Sequence, residues 1–433
     1  MQFLTLLMIV VVTTFDFLTD GDQWGRWAIL PDRTPLAAEL LTAVVLVLVT
    51  VAGTRNRFQF VRPAYWLVFG ALVLLFAAGI VLNSVEPGPI VAGVRSYLRA
   101  MPWFFLPAVF AYSDQQLVAQ LRLLLLIAAV QIPLAIQQRI ATSWGATGDW
   151  TSGTLVTSGV LSIFLICCSC IALAFVIRKR IKPVVFAPLF FLLLLPTMIN
   201  ETKATLLLLP IGLVTAFLIA SKSEHRARGA LALTGLFVVF VLVFVPVYDK
   251  MNEQREYATP LKEFFTNPER LERYLSKDQE LGTTTEAGRV ESVLVPLNSL
   301  SSDPARLAFG YGLGNASKSS LGRDFSGHYS RLFEPFLGTA FTRIMLELGA
   351  LGVLLVLALM LLVFRDSCFV ARRVEGLAGT IAAGWAAVTI VMAVSIVYTD
   401  VIGFASLSYL FWYFSGLVAA ARMRRVVVKS QGP

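Results

Sequence analysis

The feature that most constrains this chain is a series of apolar runs, each about long enough to cross a membrane. A helix needs about 20 mostly apolar residues to span the hydrocarbon core of a bilayer. About a dozen stretches approach that length: 1–18, 36–53, 64–84, 97–112, 117–137, 156–177, 183–199, 203–220, 230–247, 338–364, 377–398 and 401–421. The sequence therefore predicts an all-α polytopic membrane protein with about twelve transmembrane helices.

The composition favours a membrane protein over a soluble one. Apolar residues make up 57% of the chain and charged residues only 15%, whereas roughly a quarter of a soluble domain is charged. A net charge of +9 would suggest a nucleic-acid partner for a soluble protein. Here the basic residues lie in short connections between apolar runs, so we expect the lipid bilayer as a partner and no nucleic acid.

The Lys and Arg residues also predict an orientation, because cytoplasmic connections carry an excess of them. One set of alternating connections holds about three times as many as the other. The richer set comprises Arg55, Arg57, Arg62, Arg122, Arg178, Lys179, Arg180, Lys182, Lys222, Arg226, Arg228, Arg365, Arg372, Arg373, Arg422, Arg424, Arg425 and Lys429. We therefore expect a multi-pass protein of the inner (cytoplasmic) membrane with both termini cytoplasmic. The first run lacks a basic start and a cleavage signal, which predicts a retained helix.

One long segment breaks the pattern of short connections and divides the chain into three regions: residues 1–247, 248–337 and 338–433. The predicted orientation places the middle region in the periplasm. Asn267 and Asp303 are each followed by proline, which combines an N-cap residue with proline at the first helical position. These signals predict a large, partly helical periplasmic loop that forms a structured lid over the membrane helices.

No metal site is expected. Cys167, Cys168 and Cys170 lie close together in one apolar run, but no His or carboxylate accompanies them, and such thiols usually serve in packing. Acidic residues near the middle of the predicted helices are scarce, which argues against a proton-coupled transporter. The two halves also show no convincing pair of interrupted helices of the kind found in inverted-repeat transporters.

The unusual charges lie at the predicted outer ends of helices. Arg95 and Arg99 are spaced i, i+4 and so share one helix face. Lys203 stands in a very short connection on the side that is poor in basic residues. Plain interpretations exist for these cations: the arginines as lipid headgroup contacts, and Lys203 as an ion-pair partner of Glu201. The functional alternative is that they face an anionic substrate.

The loop and the helix after it add further candidates. His328 belongs to the residue type best suited to general-base chemistry near neutral pH, or is simply a solvated loop residue. Glu334 follows it, and Arg343 and Glu347 have the spacing of a helix-surface salt bridge. The glycine-rich stretch 310–314 resembles a nucleotide-binding loop only superficially, so a tight turn or an anion-binding backbone nest is the better interpretation.

Several short patterns along the chain occur in the order found in a known family. They are Gly153-Thr154-Leu155, Thr202-Lys203-Ala204-Thr205-Leu206, Gly288-Arg289, Phe309-Gly310-Tyr311-Gly312-Leu313-Gly314 and Leu346-Glu347-Leu348-Gly349-Ala350-Leu351-Gly352. With the predicted helices and the late periplasmic loop, this order resembles the superfamily of bacterial O-antigen ligases and of O-antigen and exopolysaccharide polymerases. The resemblance extends over the whole chain.

The resemblance implies a metal-independent glycosyltransferase with no cofactor, acting on a glycan linked to undecaprenyl diphosphate. A polymerase transfers that glycan to a second lipid-linked glycan, and a ligase transfers it to a sugar of the lipid A core. Polymerase is our first expectation, because the loop lacks the spacing expected of the ligase. Other polysaccharide export proteins are further candidate partners. The alternatives of other classes are a lipid-linked-glycan flippase or transporter and a scaffolding subunit of a secretion complex.

The resemblance also assigns roles to cations. Arg289 corresponds in position to the family's loop arginine and is expected to take part in catalysis, and Lys203 stands where an arginine is usual. The leaving group is a diphosphate, so fixed cations would stabilise the charge that develops on it. The candidates for binding the diphosphate are Lys203, Arg289, Arg95, Arg99 and Arg343.

The base that takes the proton of the acceptor hydroxyl has more than one candidate. The family often has a histidine shortly before the Glu-Leu-Gly motif, but that position is Gly338 in this chain. Either His328 or Glu334 would then act as the base, or Arg343 marks a variant of the family. The resemblance therefore leaves the base open between His328 and Glu334.

Overall fold

Most of the apolar runs form helices in the computed structural model of the chain. The structure describes residues 1–19, 27–31, 34–56, 58–141, 148–221, 226–253, 260–269, 272, 279–281, 284–286, 288 and 290–430. The helices are α1 (Gln2–Thr19), α2 (Ala37–Arg55), α3 (Pro63–Leu82), α4 (Pro87–Leu98), α5 (Pro102–Val109), α6 (Asp114–Ala141), α7 (Ser158–Ile177), α8 (Pro183–Ile199), α9 (Thr205–Ala220), α10 (Arg226–Asn252), α11 (Leu261–Thr266), α12 (Glu291–Ser301), α13 (Pro304–Phe309), α14 (Ser330–Phe333), α15 (Ala340–Arg373), α16 (Gly376–Ser395) and α17 (Ala405–Ser430). Two short antiparallel strands, β1 (Gln279–Leu281) and β2 (Thr284–Glu286), form a hairpin in the long loop.

Within the described parts of the chain, 8 helices are long and apolar enough to cross a membrane. They are α1, α2, α3, α6, α7, α10, α15 and α16. Two further apolar helices, α8 and α9, are shorter. The chain is thus a multi-pass α-helical membrane protein, as the sequence predicts, while the number of about twelve spans stays a prediction.

The predicted span 97–112 does not form one continuous helix. Helix α4 ends at Leu98 and α5 begins at Pro102, because proline lacks the N–H that would continue the ladder and its ring clashes with the preceding turn. A second proline, Pro107, lies within α5. The break places Arg99 at the junction of two short helices rather than on the side of a long one.

The centre of the bundle is formed by α7 and α16. In the most apolar window of each helix, 72% of α7 and 78% of α16 is buried, against 11% of α10. Helix α16 packs against α7, α9 and α15, and its Gly384 lies directly against the backbone of Ile171 in α7. Small residues let membrane helices approach this closely. Helix α10 is therefore peripheral and presents most of its surface to the surroundings.

The long loop emerges between α10 and α15, and we call the end of the bundle that it covers the loop end. The opposite end, where Arg62, Asp366 and Arg422 lie, is called the basic end. The predicted cap at Asp303 is confirmed, and Asn267, which follows the end of α11, makes the side-chain contact expected of an N-cap. Oδ1 of Asn267 accepts the N–H of Glu269 at 3.0 Å, and Oδ1 of Asp303 accepts the N–H at the start of α13 at 2.9 Å.

Helix α15 is interrupted near the loop end. Gly349 has φ +66°, outside the helical region, and a Cβ at this position would collide with the backbone of Ala308. Glycine is the residue that adopts this conformation without strain. The break separates a short first segment, which carries Arg343 and Glu347, from the long apolar remainder of the helix.

Candidate functional site

Arg95 of α4 and Arg99, which follows the last residue of α4, meet one carboxylate of α2 at the loop end. Nε of Arg95 donates to Oε1 of Glu39 at 2.7 Å, and a second guanidinium nitrogen lies 2.6 Å from the same oxygen. Arg99 follows one turn later, with a guanidinium nitrogen 3.8 Å from that oxygen. The shared face of α4 that the sequence predicts for the two arginines therefore points at Glu39.

The same side chains line a cavity of about 190 Å³ at the loop end. It lies between α1, α2, α4 and the start of α17, and its lining residues are Val11, Val12, Phe15, Asp16, Ala38, Glu39, Arg95, Arg99, Val156, Gly403, Phe404 and Ala405. The wall is as polar as it is apolar, because four charged side chains converge within it among apolar residues. A concave, mostly apolar site with a few convergent polar groups is the usual form of a ligand-binding site.

Glu39 does not saturate the two guanidinium groups. Arg95 also donates to Oγ of Ser320 in the loop at 2.9 Å, and Arg99 donates to the carbonyl oxygen of Gly403. Nε of Arg99 is buried and has no hydrogen-bond partner among the described residues. Because Arg99 lines the cavity and its contact with Glu39 is long, an oxyanion in the cavity is placed to replace Glu39 as a partner of its guanidinium group.

Arg343 fixes the connection that contacts Arg99. It forms an ion pair with Asp400, in the connection between α16 and α17, and lies 3.5 Å from Oγ of Ser96. Oδ1 of Asp400 accepts the backbone N–H of Gly403 at 2.9 Å. A Cβ on Gly403 would lie 2.5 Å from the Arg343 guanidinium, so a larger residue here would displace the Arg343–Asp400 ion pair. Arg343 thus positions the segment whose carbonyl binds Arg99.

Glu347 is buried beneath the loop, with 1% of its surface exposed. Its carboxylate lies beside the hydroxyls of Tyr97 and Ser317 and interacts electrostatically with Arg343. Among the described residues, Oε1 of Glu347 and both hydroxyl oxygens lack a hydrogen-bond partner of regular geometry. The helix-surface salt bridge predicted for Arg343 and Glu347 is therefore replaced by a buried network, in which Arg343 pairs with Asp400 instead.

The Gly310–Gly314 stretch joins three helices. A Cβ on Gly310 (φ +69°) would lie 2.6 Å from the carbonyl oxygen of Leu346 in α15. Gly312 packs in the same way on α3, and Gly314 packs on α4. The N–H of Tyr311 donates to the carbonyl of Leu346 at 2.7 Å. The two glycine motifs of the sequence thus touch each other, and the first one is a tight packing turn rather than a nucleotide loop.

The loop segment that follows this turn covers α4. Gly88 at the start of α4 approaches the backbone of Asp324 so closely that no side chain would fit. The segment closes on itself, because the N–H of Gly327 donates to the carbonyl of Ser317 at 2.9 Å. Its contact with Arg95 through Ser320 places this part of the predicted lid directly beside the cavity.

The two candidate bases lie on this loop. His328 is exposed, its backbone N–H donates to Oδ1 of Asn315 at 3.1 Å, and its ring lies 4.9 Å from that of Tyr329. Glu334 is also exposed and accepts from Nζ of Lys318 at 2.9 Å. Neither belongs to the described residues that line the cavity. Both therefore lie next to the loop segment 315–327 that covers α4, and outside the cavity in which Arg95, Arg99 and Glu39 converge.

Of the remaining two predicted cations, the structure describes only Lys203, which lies elsewhere. Lys203 stands in the connection between α8 and α9 and is not among the described lining residues of the cavity. Its neighbour Glu201 forms a buried ion pair with Arg139 of α6 at 3.0 Å. Arg289 falls outside the described residues. The start of α12 just after it packs on α15, where Oγ1 of Thr342 donates to the carbonyl of Ser292.

Sequence reasoning missed the acidic members of the site. Asp16 and Glu39 are the charged residues of the otherwise apolar runs 1–18 and 36–53, which is a signal that could have identified them. Asp400 lies alone between two adjacent runs. None of these three carboxylates shares a local spacing with a candidate cation, so they were not predicted to belong to the site.

Comparison with known proteins adds no family to these observations. No protein-family model matches the chain, and no curated protein matches it significantly. The class that the fold and the site define is a multi-pass helical membrane protein with a charged cavity at one end of its bundle, partly covered by a long loop.

Proposed function

We propose that the protein is a membrane glycosyltransferase of the polysaccharide polymerase type, which transfers a glycan from undecaprenyl diphosphate to the hydroxyl of a second lipid-linked glycan. The observation that carries the proposal is the cavity at the loop end, in which Arg95 and Arg99 converge. Guanidinium groups bind phosphate oxygens through paired, charge-assisted hydrogen bonds. A lipid-linked diphosphate at the membrane surface would meet these groups at the ends of the helices.

In the proposed reaction the acceptor hydroxyl attacks the anomeric carbon of the donor sugar. The bond between that carbon and the diphosphate oxygen breaks, its electron pair stays on the diphosphate, and the hydroxyl proton passes to a base. Arg95 and Arg99 would stabilise the negative charge that develops on the leaving group. Arg343 would act indirectly, by holding the connection that positions Arg99. Lys203 and Arg289 are further candidates for contacts with the donor.

His328 is the preferred base in this proposal. Its imidazole is exposed beside the covering segment, and histidine is suited to proton transfer near neutral pH. Glu334 is engaged with Lys318 on the surface. Replacing His328 with alanine should lower the transfer rate much more than replacing Glu334 with glutamine. The reverse order of effects, measured as initial rates at equal amounts of folded protein, would reassign the base to Glu334.

Two other functions use the same cavity. An O-antigen ligase would have the same donor and leaving group and differ only in its acceptor, a sugar of the lipid A core. A flippase or transporter is the candidate of another class, and the mixed charge of the cavity lining favours it, because a polar cavity is also what carries a headgroup through a membrane. A transporter would move the donor without cleaving it.

Purified protein in nanodiscs, supplied with undecaprenyl-diphosphate repeat units and a metal chelator, separates these functions. A ladder of lengthening glycans is expected for the polymerase, and Arg95→Ala should abolish it. The matched control is Arg323→Ala, which removes an exposed arginine of the loop segment that covers α4. A single product formed only when lipid A core is added would instead indicate a ligase. No transfer to either acceptor, with movement of labelled donor across vesicles, would indicate a transporter.

A further inference from the structure

We propose that Glu39 sets the affinity of the arginine pair for diphosphate, orienting Arg95 and Arg99 before the donor binds and competing with the spent lipid diphosphate so that it leaves. This inference rests on the proposed function of the cavity. It gives a role in turnover to a carboxylate that would otherwise oppose the binding of an anion.

The first support is the position of the Glu39 carboxylate. Its Oε1 is the point at which both arginines meet, at 2.7 Å from Nε of Arg95 and 3.8 Å from a nitrogen of Arg99. Glu39 lies in the first turn of α2, where the helix dipole favours negative charge. An anion is therefore stabilised at this point whether the side chain or a ligand supplies it.

The second support is that a diphosphate can replace Glu39 as the partner of Arg95. Both close contacts of Arg95 go to one oxygen of Glu39, which is not the fork-to-fork arrangement of the strongest arginine–carboxylate pairs. The side chains of Arg95, Arg99 and Glu39 are 24%, 19% and 27% exposed, so the pair is partly accessible from the cavity. A diphosphate can offer each guanidinium two oxygens and a larger charge than one carboxylate.

The third support comes from the charge balance of the proposed reaction. The donor diphosphate is esterified at both ends, to the sugar and to the lipid. Cleavage of the sugar–oxygen bond leaves a lipid diphosphate with one more ionisable oxygen. The lipid diphosphate product would therefore bind Arg95 and Arg99 more tightly than the donor does. Glu39 competes with the product for both arginines and so weakens the binding of the product.

Binding of farnesyl diphosphate, a short-chain stand-in for the lipid product, tests the inference on the full-length protein in detergent. Glu39→Gln removes the competing charge and keeps the shape, so we expect the dissociation constant to fall by about tenfold. In the glycan-transfer assay the first turnover of this variant should be retained, while steady-state turnover slows and inhibition by added farnesyl diphosphate becomes stronger. If Glu39 had only a structural role, its replacement would not raise the affinity for farnesyl diphosphate while it lowers steady-state turnover.

Two further variants keep the test decisive. Glu39→Asp retains the charge but withdraws it by one methylene, so its affinity should fall between those of the wild type and Glu39→Gln. Glu86→Gln removes an exposed carboxylate next to α4 and should change nothing. Unchanged or weaker binding of farnesyl diphosphate to both Glu39 variants would overturn the inference.

The outcome also separates this inference from the proposed function. If Arg95→Ala abolishes binding while the Glu39 variants bind like the wild type, the cavity is a diphosphate site and only the role of Glu39 is wrong. If the folded wild type, Glu39→Gln and Arg95→Ala all fail to bind farnesyl diphosphate, the proposed function of the cavity fails together with the role of Glu39.

Discussion

Both ends of the helix bundle contain buried charge, but they use it differently. At the basic end, Asp366 of α15 has a side chain that is 1% exposed. One of its oxygens accepts from Arg62 at 3.2 Å and from Arg422, and the other accepts from the hydroxyl of Tyr65 at 3.1 Å. Both carboxylate oxygens are therefore bonded, and the three partners tie α3 and α17 to α15.

At the loop end the charges are left partly unpaired. Nε of Arg99 is buried without a hydrogen-bond partner among the described residues, and the buried Glu347 carboxylate lies beside the hydroxyls of Tyr97 and Ser317. A cavity of about 190 Å³ lies beside the first of these groups. Native proteins rarely leave buried polar groups unpaired, and those that they leave need a reason. Asp366 therefore ties helices together at the basic end, whereas Arg95 and Arg99 are the groups to which the proposed function assigns a ligand.

The largest expected effect is at the basic end. Asp366→Ala leaves Arg62 and Arg422 without their shared partner, and the loss of one member of a buried charge network costs about 3–5 kcal/mol. Thermal unfolding in detergent should show this loss, while transfer activity per folded molecule stays near that of the wild type. Glu375→Ala, an exposed carboxylate at the same end, is the control. Normal stability of Asp366→Ala would remove the distinction between the two ends.

The opposite pattern is expected at the loop end. Arg99→Ala removes a cation that the proposal places on the leaving diphosphate, so the transfer rate should fall by roughly 10²–10³-fold. The thermal stability should fall less than in Asp366→Ala, because Arg99 loses one hydrogen bond to the Gly403 carbonyl and only a long contact with Glu39. Initial rates of glycan transfer and unfolding curves of the same preparation measure both quantities. A variant that transfers glycan at the wild-type rate would show that Arg99 has no part in the reaction.

A smaller effect is expected where the loop is fixed to the bundle. Gly310→Ala places a Cβ against the backbone of α15 at a φ of +69°, which should cost about 1–3 kcal/mol. Gly322 also has a positive φ, of +124°, but nothing lies within 4 Å of its Cβ position. Comparing unfolding of Gly310→Ala and Gly322→Ala therefore separates the collision with α15 from backbone strain alone. Equal effects of the two substitutions would show that the glycine contact does not hold the loop.

The smallest effect is expected at the surface of the loop. Lys318 and Glu334 form an ion pair in which the side chains are 69% and 52% exposed. Such pairs contribute from about 0 to 1 kcal/mol because water and salt screen them. Lys318→Ala should therefore leave the unfolding midpoint almost unchanged. A clear loss of stability would mean that the loop surface carries a network comparable to the one around Asp366.

The sequence predicts the elements of this molecule better than their partners. The apolar runs and the caps at Asn267 and Asp303 are patterns of neighbouring residues. Such local patterns predict where the helices lie and where helices in the loop begin. The break before Pro102 could have been predicted in the same way, because proline at that position ends a helix. Local patterns therefore account for most of the fold.

The site depends on contacts between distant parts of the chain, which a single sequence does not reveal. The spacing of Arg95 and Arg99 identifies their shared face, but nothing nearby in the sequence points to Glu39. For Arg343 the local pattern favours Glu347, one turn away, whereas the actual partner is Asp400. Helix packing, rather than helix periodicity, decides these pairs, so the cations were predicted and their arrangement was not.

The most direct test of the central claim is a cryo-EM structure of the protein in nanodiscs with undecaprenyl diphosphate. The account predicts density for the diphosphate between the guanidinium groups of Arg95 and Arg99, with phosphate oxygens at about 3 Å from them, and a displaced Glu39 side chain. Diphosphate density bound elsewhere on the protein, with the Glu39 contacts to both arginines intact, would contradict it.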